Sequence, residues 1–218
     1  MEVIRMKNKV GKNIAVIVAA CVFLGIAVNS YMLAGLGSDS ITVFENGLNH
    51  TFGVTMGTAA MIYNIIFLAA AVLVSRKYVG VLTALFSLLS GPFIDLVGMV
   101  MKPLAAMNAM PVRIIELAMG IIFTAMACGL LIAADGGMNS LDAIDAEIAE
   151  KTGISYKVWR TLSDIILVAA GWMMGGTVSF GTIPAVLLTG VAISFFAGWM
   201  KNAFFTERNE WTVKKVTE

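Results

Sequence analysis

Charge, histidine and cysteine are all scarce in this sequence of 218 residues. Only 13% of the residues are charged, against about 25% in ordinary globular domains, and that shortage excludes a freely soluble enzyme. The formal net charge of +1 leaves no basic field for nucleic acid. A single histidine, His50, excludes a multi-histidine metal site. The two cysteines, Cys21 and Cys128, sit in apolar stretches and form neither a disulfide framework nor a metal-ligand spacing. No nucleophile–base pair and no phosphate loop stands out, so neither enzymatic activity nor a cofactor is expected. What the sequence has in abundance is apolar side chains: 59% of residues are hydrophobic and the mean hydropathy is +0.87. The expectation is an all-α integral membrane protein with the lipid bilayer as its surroundings.

A helix needs about 20 apolar residues to cross the hydrocarbon core. Six stretches meet that length: 13–36, 54–75, 79–101, 113–134, 156–176 and 182–204. The first follows Arg5, Lys7, Lys9 and Lys12 as a secretory signal would, but its apolar run is too long and lacks a small-x-small cleavage site, so it reads as a retained helix. Lysine and arginine set the direction. With the N-terminus inside, the inner segments hold Arg5, Lys7, Lys9, Lys12, Arg76, Lys77, Lys151, Lys157, Arg160, Lys201, Arg208, Lys214 and Lys215, and the outer ones only Lys102 and Arg113. Both termini are therefore expected in the cytoplasm. Trp159 and Trp199 fall near the inner helix ends, where interfacial tryptophans belong.

An internal similarity recurs at an offset of about 100 residues. Ala34-Gly35-Leu36-Gly37-Ser38-Asp39-Ser40 overlies Ala134-Asp135-Gly136-Gly137-Met138-Asn139-Ser140, and Gly53-Val54-Thr55 overlies Gly153-Ile154-Ser155. Asn64-Ile65-Ile66 overlies Asp164-Ile165-Ile166. Between the first two spans of each half, apolar residues recur at Ile41, Phe44 and Leu48 and at Leu141, Ile144 and Ile148, the spacing of one helix face. The other face is polar, with Glu45, Asn46 and Asn49 in one half and Asp142, Asp145, Glu147 and Glu150 in the other. These segments are expected to be amphipathic helices over 40–52 and 140–152. Three spans per repeat is an odd number, so the fold expected is two inverted three-helix repeats, 1–108 and 109–218, making one membrane domain.

The glycine punctuation carries a resemblance. Gly35-Leu36-Gly37-Ser38-Asp39-Ser40-Ile41 before a helix ending at Gly53 is one part, and Asp135-Gly136-Gly137 through Ser140-Leu141-Asp142 with Lys151-Thr152-Gly153-Ile154-Ser155 is another. Gly175-Gly176-Thr177, Phe180-Gly181-Thr182 and Leu188-Thr189-Gly190 complete it. Over about 30–205 the chain resembles the YczE/YyaS/YitT group of bacterial integral membrane proteins. It departs from the group's pattern at Ser179, where a glycine is usual, and at Ser38 and Met138, where a proline is common. The resemblance implies an inner-membrane protein and a role in solute transport.

Ionisable groups inside a span are costly and stand as functional candidates by default. Asp164 lies about 12 Å into span five, one turn beyond Arg160, with which it could simply neutralise itself as an i,i+4 bridge. Asn64 occupies the mirror position, so both halves offer a polar group at matching depth. Asp95 follows Gly91-Pro92, where proline frees backbone carbonyls and kinks the helix; it is either a coupling-ion group or a residue near the outer interface. Glu116 and Arg113 read as an interfacial bridge. The pairs Asp39/Ser40 and Asn139/Ser140 start the short helices, where they either cap the helix at the membrane surface or dip into the protein and present free N–H groups to an anion. Asn29 is a helix–helix hydrogen bond or a ligand contact. Gly171/Gly175 and Gly53/Gly57 have the spacing of close helix approach, as in a homodimer. The 15 methionines read as packing fillers, and His50 as an exposed side chain.

The function expected is transport of a small solute by alternating access, coupled to a proton or cation. Asn29, Asp39, Ser40, Asn64, Asn139, Ser140 and Asp164 are the substrate-binding candidates, and Asp164 and Asp95 the coupling-ion candidates. Acidic residues point to a cation or amine and helix starts to a carboxylate, a combination that a zwitterion such as an amino acid satisfies. The competing reading is a non-transporting scaffold or regulatory subunit of another complex.

Overall fold

The computed structural model describes residues 2–103 and 109–204, with side chains from residue 13 onward. The junction between the two expected halves, residues 104–108, lies outside the described residues, as do Arg208, Lys214 and Lys215 and the side chains of Arg5, Lys7, Lys9 and Lys12. Among the described residues eight α-helices follow one another: α1 (Glu2–Ala34), α2 (Ser40–Phe52), α3 (Met56–Val74), α4 (Val81–Met101), α5 (Met110–Ala133), α6 (Ser140–Thr152), α7 (Tyr156–Met173) and α8 (Thr182–Phe204). A single 3-10 turn, Arg76–Tyr78, joins α3 to α4. Among the described residues there is no strand.

Among the described residues five helices are long and apolar enough to cross a membrane: Asn13–Ala34 within α1, then α3, α4, α5 and α8. Their outer faces are apolar, as a protein dissolved in lipid requires; along α8, Ile183, Leu187, Val191 and Phe195 are all more than 60% exposed. The expected fifth span, α7, falls outside that class because Lys157, Arg160 and Asp164 share its 18 residues. Helicity runs through Pro92 without a break, so the freed carbonyls do not end α4.

The order long, short, long, long occurs twice, and so does the backbone of the connections. Gly35 and Asp135 have φ of 56° and 53°, Gly37 and Gly137 93° and 100°, and Gly53 and Gly153 64° and 70°. Gly53 and Gly153 close their short helices in the left-handed region, each N–H donating 2.9 Å back to Asn49 or Ala149. Gly37 and Gly137 serve close approach: a Cβ at Gly37 would lie 2.1 Å from Thr182 Oγ1, and one at Gly137 2.5 Å from the Gly80 nitrogen.

Packing is also duplicated. Helix α1 packs on α4 and α5 on α8, while α1 and α5 pack on each other. Each short helix lies against a long helix of the other quartet, α2 on α7 and α6 on α3. Gly47 and Gly171 make the first of these contacts possible: a Cβ at either would come within 2.6 Å of a backbone oxygen of the partner helix. Helices α2 and α6 sit toward opposite ends of α3. Helix α2 leads into its start, and α6 meets the turn at its far end, where Lys77 Nζ lies 3.0 Å from Glu147 Oε2 and 2.8 Å from Glu150 Oε2.

Candidate functional site

The buried polar groups concentrate where the short helices begin. The connection after α1 turns inward, so that Ser38, Asp39 and Ser40 are all buried. At the other end of α2 the Thr51 hydroxyl donates to the Met174 carbonyl at 3.0 Å, and the Thr177 N–H donates to Asn46 Oδ1 at 2.8 Å. Helix α2 therefore starts beside the middle of α7 and finishes beside its end. Neither Asp39 nor Asn139 makes the side-chain cap bond that was one of their readings.

At the start of α2, Ser40 Oγ donates to Asp164 Oδ1 across 124 residues of sequence. Arg160 Nη2 lies 3.1 Å from the same Asp164 oxygen, so the i,i+4 bridge exists, and Arg160 Nη1 reaches Asp142 Oδ1 of α6 at 3.3 Å. The Tyr156 hydroxyl also donates to Asp142, at 3.0 Å. One guanidinium thus links α7 to the start of α6, and Ser40 joins α2 to the same group. Asp145 of α6 accepts from the Ser163 hydroxyl at 2.6 Å. Tyr63 of α3 is 1% exposed, stacking 4.4 Å from Phe67 and 6.0 Å from Phe44. Leu48, Leu141 and Leu167 belong to the same buried cluster, which closes the region off from solvent.

Burial sets the electrostatics of the groups on the short helices and their connections. It raises the Asp39 carboxyl above its ordinary range, the nearby Asp164 adding to the effect and the Thr42 hydroxyl opposing it. Glu45 is raised well above its range by burial and by Asp39. Asp145 is pushed up to about 6 by burial, which the Ser163 hydrogen bond partly offsets.

The other sequence candidates divide. Asn64 is buried and donates to Ser90 Oγ at 3.0 Å, a contact between α3 and α4. Ser140 is fully buried, and its hydroxyl has no hydrogen-bond partner. Asn29 donates to the carbonyls of Ile94 at 2.9 Å and Gly25 at 2.8 Å, the helix–helix bond that was one of its two readings. Asp95 accepts from the Thr55 hydroxyl at 2.6 Å and the Gly57 N–H at 2.9 Å, anchoring the start of α3 well away from the Arg160 group. The Arg113–Glu116 bridge is not formed: Arg113 instead donates to the Ala34 and Gly35 carbonyls at 2.6 and 3.0 Å, because the end of α1 offers unpaired carbonyls there. His50 is exposed, as expected. Gly171 and Gly57 both meet helices of the same chain, Gly57 against the Gly91 carbonyl.

The largest departure from the sequence reading concerns the polar faces of the short helices. Glu45, Asn46, Asp145 and Glu147 were assigned to a polar face opposite the apolar one, and all four are buried, Asp145 to 1% exposure. The signal was present in the spacing. Glu45 stands four residues after Ile41 and three before Leu48, and Asp145 stands likewise between Leu141 and Ile148, so both belong to the apolar stripe. Among the described residues no three or more His, Cys, Asp or Glu are grouped as a metal site. The chemistry on offer is a guanidinium, several carboxylates and hydroxyl donors, shut in between two short helix starts.

Comparison with known proteins places the chain among membrane proteins. It is 28% identical to the uncharacterized membrane protein YczE of Bacillus subtilis over 73% of each chain. An uncharacterized protein of Haemophilus influenzae is 26% identical over 85% of this chain and 83% of its own. The uncharacterized protein YyaS of Bacillus subtilis is 20% identical over 84% of this chain and 92% of its own. No solved structure matches. Residues 11–198 match the model of DUF6198, a family of unknown function, and the chain belongs to that family, with the membrane protein YczE and the protein YyaS among its relatives.

Proposed function

We propose that this membrane protein carries a small polar or zwitterionic solute across the bacterial cytoplasmic membrane by alternating access between two inverted halves, coupled to a proton or cation. It is read as a carrier rather than an enzyme. In this reading α7 is the sixth span. Two of its three charges, Arg160 and Asp164, are neutralised within the protein, which lowers the cost of holding them at membrane depth. The repeated element order, the positive φ values recurring 100 residues apart and the docking of each short helix on the opposite quartet all support the inverted plan. The lysine and arginine bias supports cytoplasmic termini, with α6 at the inner end and α2 at the outer end.

The observation that carries the proposal is the bond from Ser40, at the start of α2, to Asp164, near the middle of α7, beside Arg160. Substrate sites of inverted-repeat transporters lie where short helix starts meet the opposite half near midplane. A zwitterion finds both complements here: Arg160 and the α2 N–H groups for its carboxylate, Asp39 and Asp164 for its ammonium.

Two measurements test the reading. A thermal-shift screen of purified protein against amino acids, amines, organic acids and simple ions should find a ligand, which at 100 times its dissociation constant adds about 2.7 kcal/mol of stability. Uptake of that ligand into vesicles carrying the protein should then be lost in Asp164→Asn. Unchanged uptake by Asp164→Asn at every pH removes Asp164 from the mechanism.

A further inference from the structure

Glu45 and Asp145 are unused by the site above, and they are related by the same 100-residue interval that relates the two quartets. Each stands on the second turn of its short helix, on the stripe that faces the interior. Glu45 is 4% exposed and Asp145 1%. Among the described residues no cation lies within 4 Å of either carboxylate: Arg160 is spent on Asp142 and Asp164, Lys77 on Glu147 and Glu150, and Lys151 on Glu147. Asp145 receives one hydrogen bond, from Ser163, and its second oxygen is buried with no partner.

An ionised carboxylate in that position keeps almost none of the solvation it had in water. A buried carboxyl group escapes that cost by taking a proton. We propose that Asp145 and Glu45 are a matched pair of proton-binding sites, one on each short helix, each holding a proton as a carboxylic acid inside the protein. Deepening the transport reading on which it rests, this makes Glu45 and Asp145 the proton carriers, with Asp164 as part of the solute site. Protonation of the pair can be read whether or not solute moves.

The surroundings are consistent on every side. Glu45 is faced by Asp39 from its own connection and by Tyr63 from α3, which adds no positive charge. Asp145 is faced by Asp142 on α6 and by Ser163, Arg160 and Asp164 on α7, the last two paired to each other. Burial and the neighbouring carboxylates favour the neutral acid, while Ser163 and Arg160 favour the ion at Asp145. This sets the two sites apart: Asp145 should take its proton as pH falls through about 6, and Glu45, held well above the usual carboxylate range, at a higher pH.

Infrared spectroscopy of the full chain in lipid nanodiscs tests this directly, because a protonated carboxylic acid has a C=O stretch separate from that of a carboxylate. The expected result is one acid band that grows in at the higher pH, absent in Glu45→Gln, and a second that grows as pH falls through about 6 and is absent in Asp145→Asn. Ser163→Ala keeps Asp145 and removes its donor, so the second band should appear at a pH about one unit higher, the size of one hydrogen bond to a charged group. If neither isosteric variant removes an acid band, or if the bands persist while Ser163→Ala leaves the midpoint in place, the proposal is overturned, and solute uptake remains a separate question. If both bands behave as stated and no solute is carried, the proton sites stand and the transport reading falls.

Discussion

Replacing Gly171 by alanine puts the docking of α2 on α7 under a defined strain. The added Cβ would sit 2.6 Å from the Val43 carbonyl oxygen, 2.7 Å from its carbon and 2.8 Å from the Phe44 Cα. All three are backbone atoms of α2, so no rotamer change relieves the clash. Ordinary contact begins at 3.4 Å, and the helix must therefore retreat by about 0.8 Å. A retreat of that size strains the Ser40–Asp164 and Thr177–Asn46 hydrogen bonds together. Overpacking of this kind costs about 1–3 kcal/mol.

Gly190→Ala is the matched control. Gly190 lies within α8, and a Cβ there meets nothing within 4 Å. Alanine in a helix interior is favoured over glycine by about 0.5–1 kcal/mol, so this variant should be as stable as the parent or slightly more so. Denaturation followed by tryptophan fluorescence in one detergent reads both. Equal stability of Gly171→Ala and Gly190→Ala would refute the close α2–α7 contact.

Removing the guanidinium in Arg160→Leu leaves Asp142 and Asp164 without their cation and should destabilise by about 3–5 kcal/mol; the same denaturation assay reads it, and adding Asp142→Asn should recover part of the loss. Lys77→Ala breaks two bridges in which Lys77 and Glu150 are about half exposed, so the loss should be far smaller than for Arg160→Leu and shrink with added salt. Asp145 has a folded pKa raised from 3.8 to about 6, so the folded state holds the proton more tightly than the unfolded one. Its contribution to stability is full below about 4 and is lost as pH rises through about 6; melting temperature measured across that window should fall, and less so in Asp145→Asn. Asn29→Ala loses the bond to the Ile94 carbonyl and should cost about 0.6 kcal/mol by the same assay.

Hydropathy and glycine made most of the helix boundaries legible. The stretches 54–75 and 79–101 became Met56–Val74 and Val81–Met101, and the short helices occupy the residues that spacing marked. Gly53 and Gly153 could be read as helix ends because glycine takes the left-handed conformation at no steric cost. The site was only partly legible. Asp164 and Ser40 were each visible as polar residues in costly places, but their meeting spans 124 residues of sequence, and no local pattern encodes which carboxylate a distant hydroxyl will find. Arg113 was assigned to its neighbour Glu116 by proximity, whereas the carbonyls at the end of α1 had the stronger claim. Glu45 and Asp145 were passed over because they were assigned to the polar face of their helices; their place between apolar residues at helical spacing pointed to the buried one.

The proposed transport rests on the proposed inversion of the two halves, and the sidedness of the two short helices tests it most directly. With Cys21 and Cys128 replaced, a single cysteine at Thr51 near the end of α2, or at Lys151 near the end of α6, is exposed enough to label. A membrane-impermeant maleimide applied to sealed vesicles of known orientation should label the cysteine at 51 only from the outer side and that at 151 only from the inner side. Labelling of both from the same side would contradict the inversion, and with it the carrier built on it.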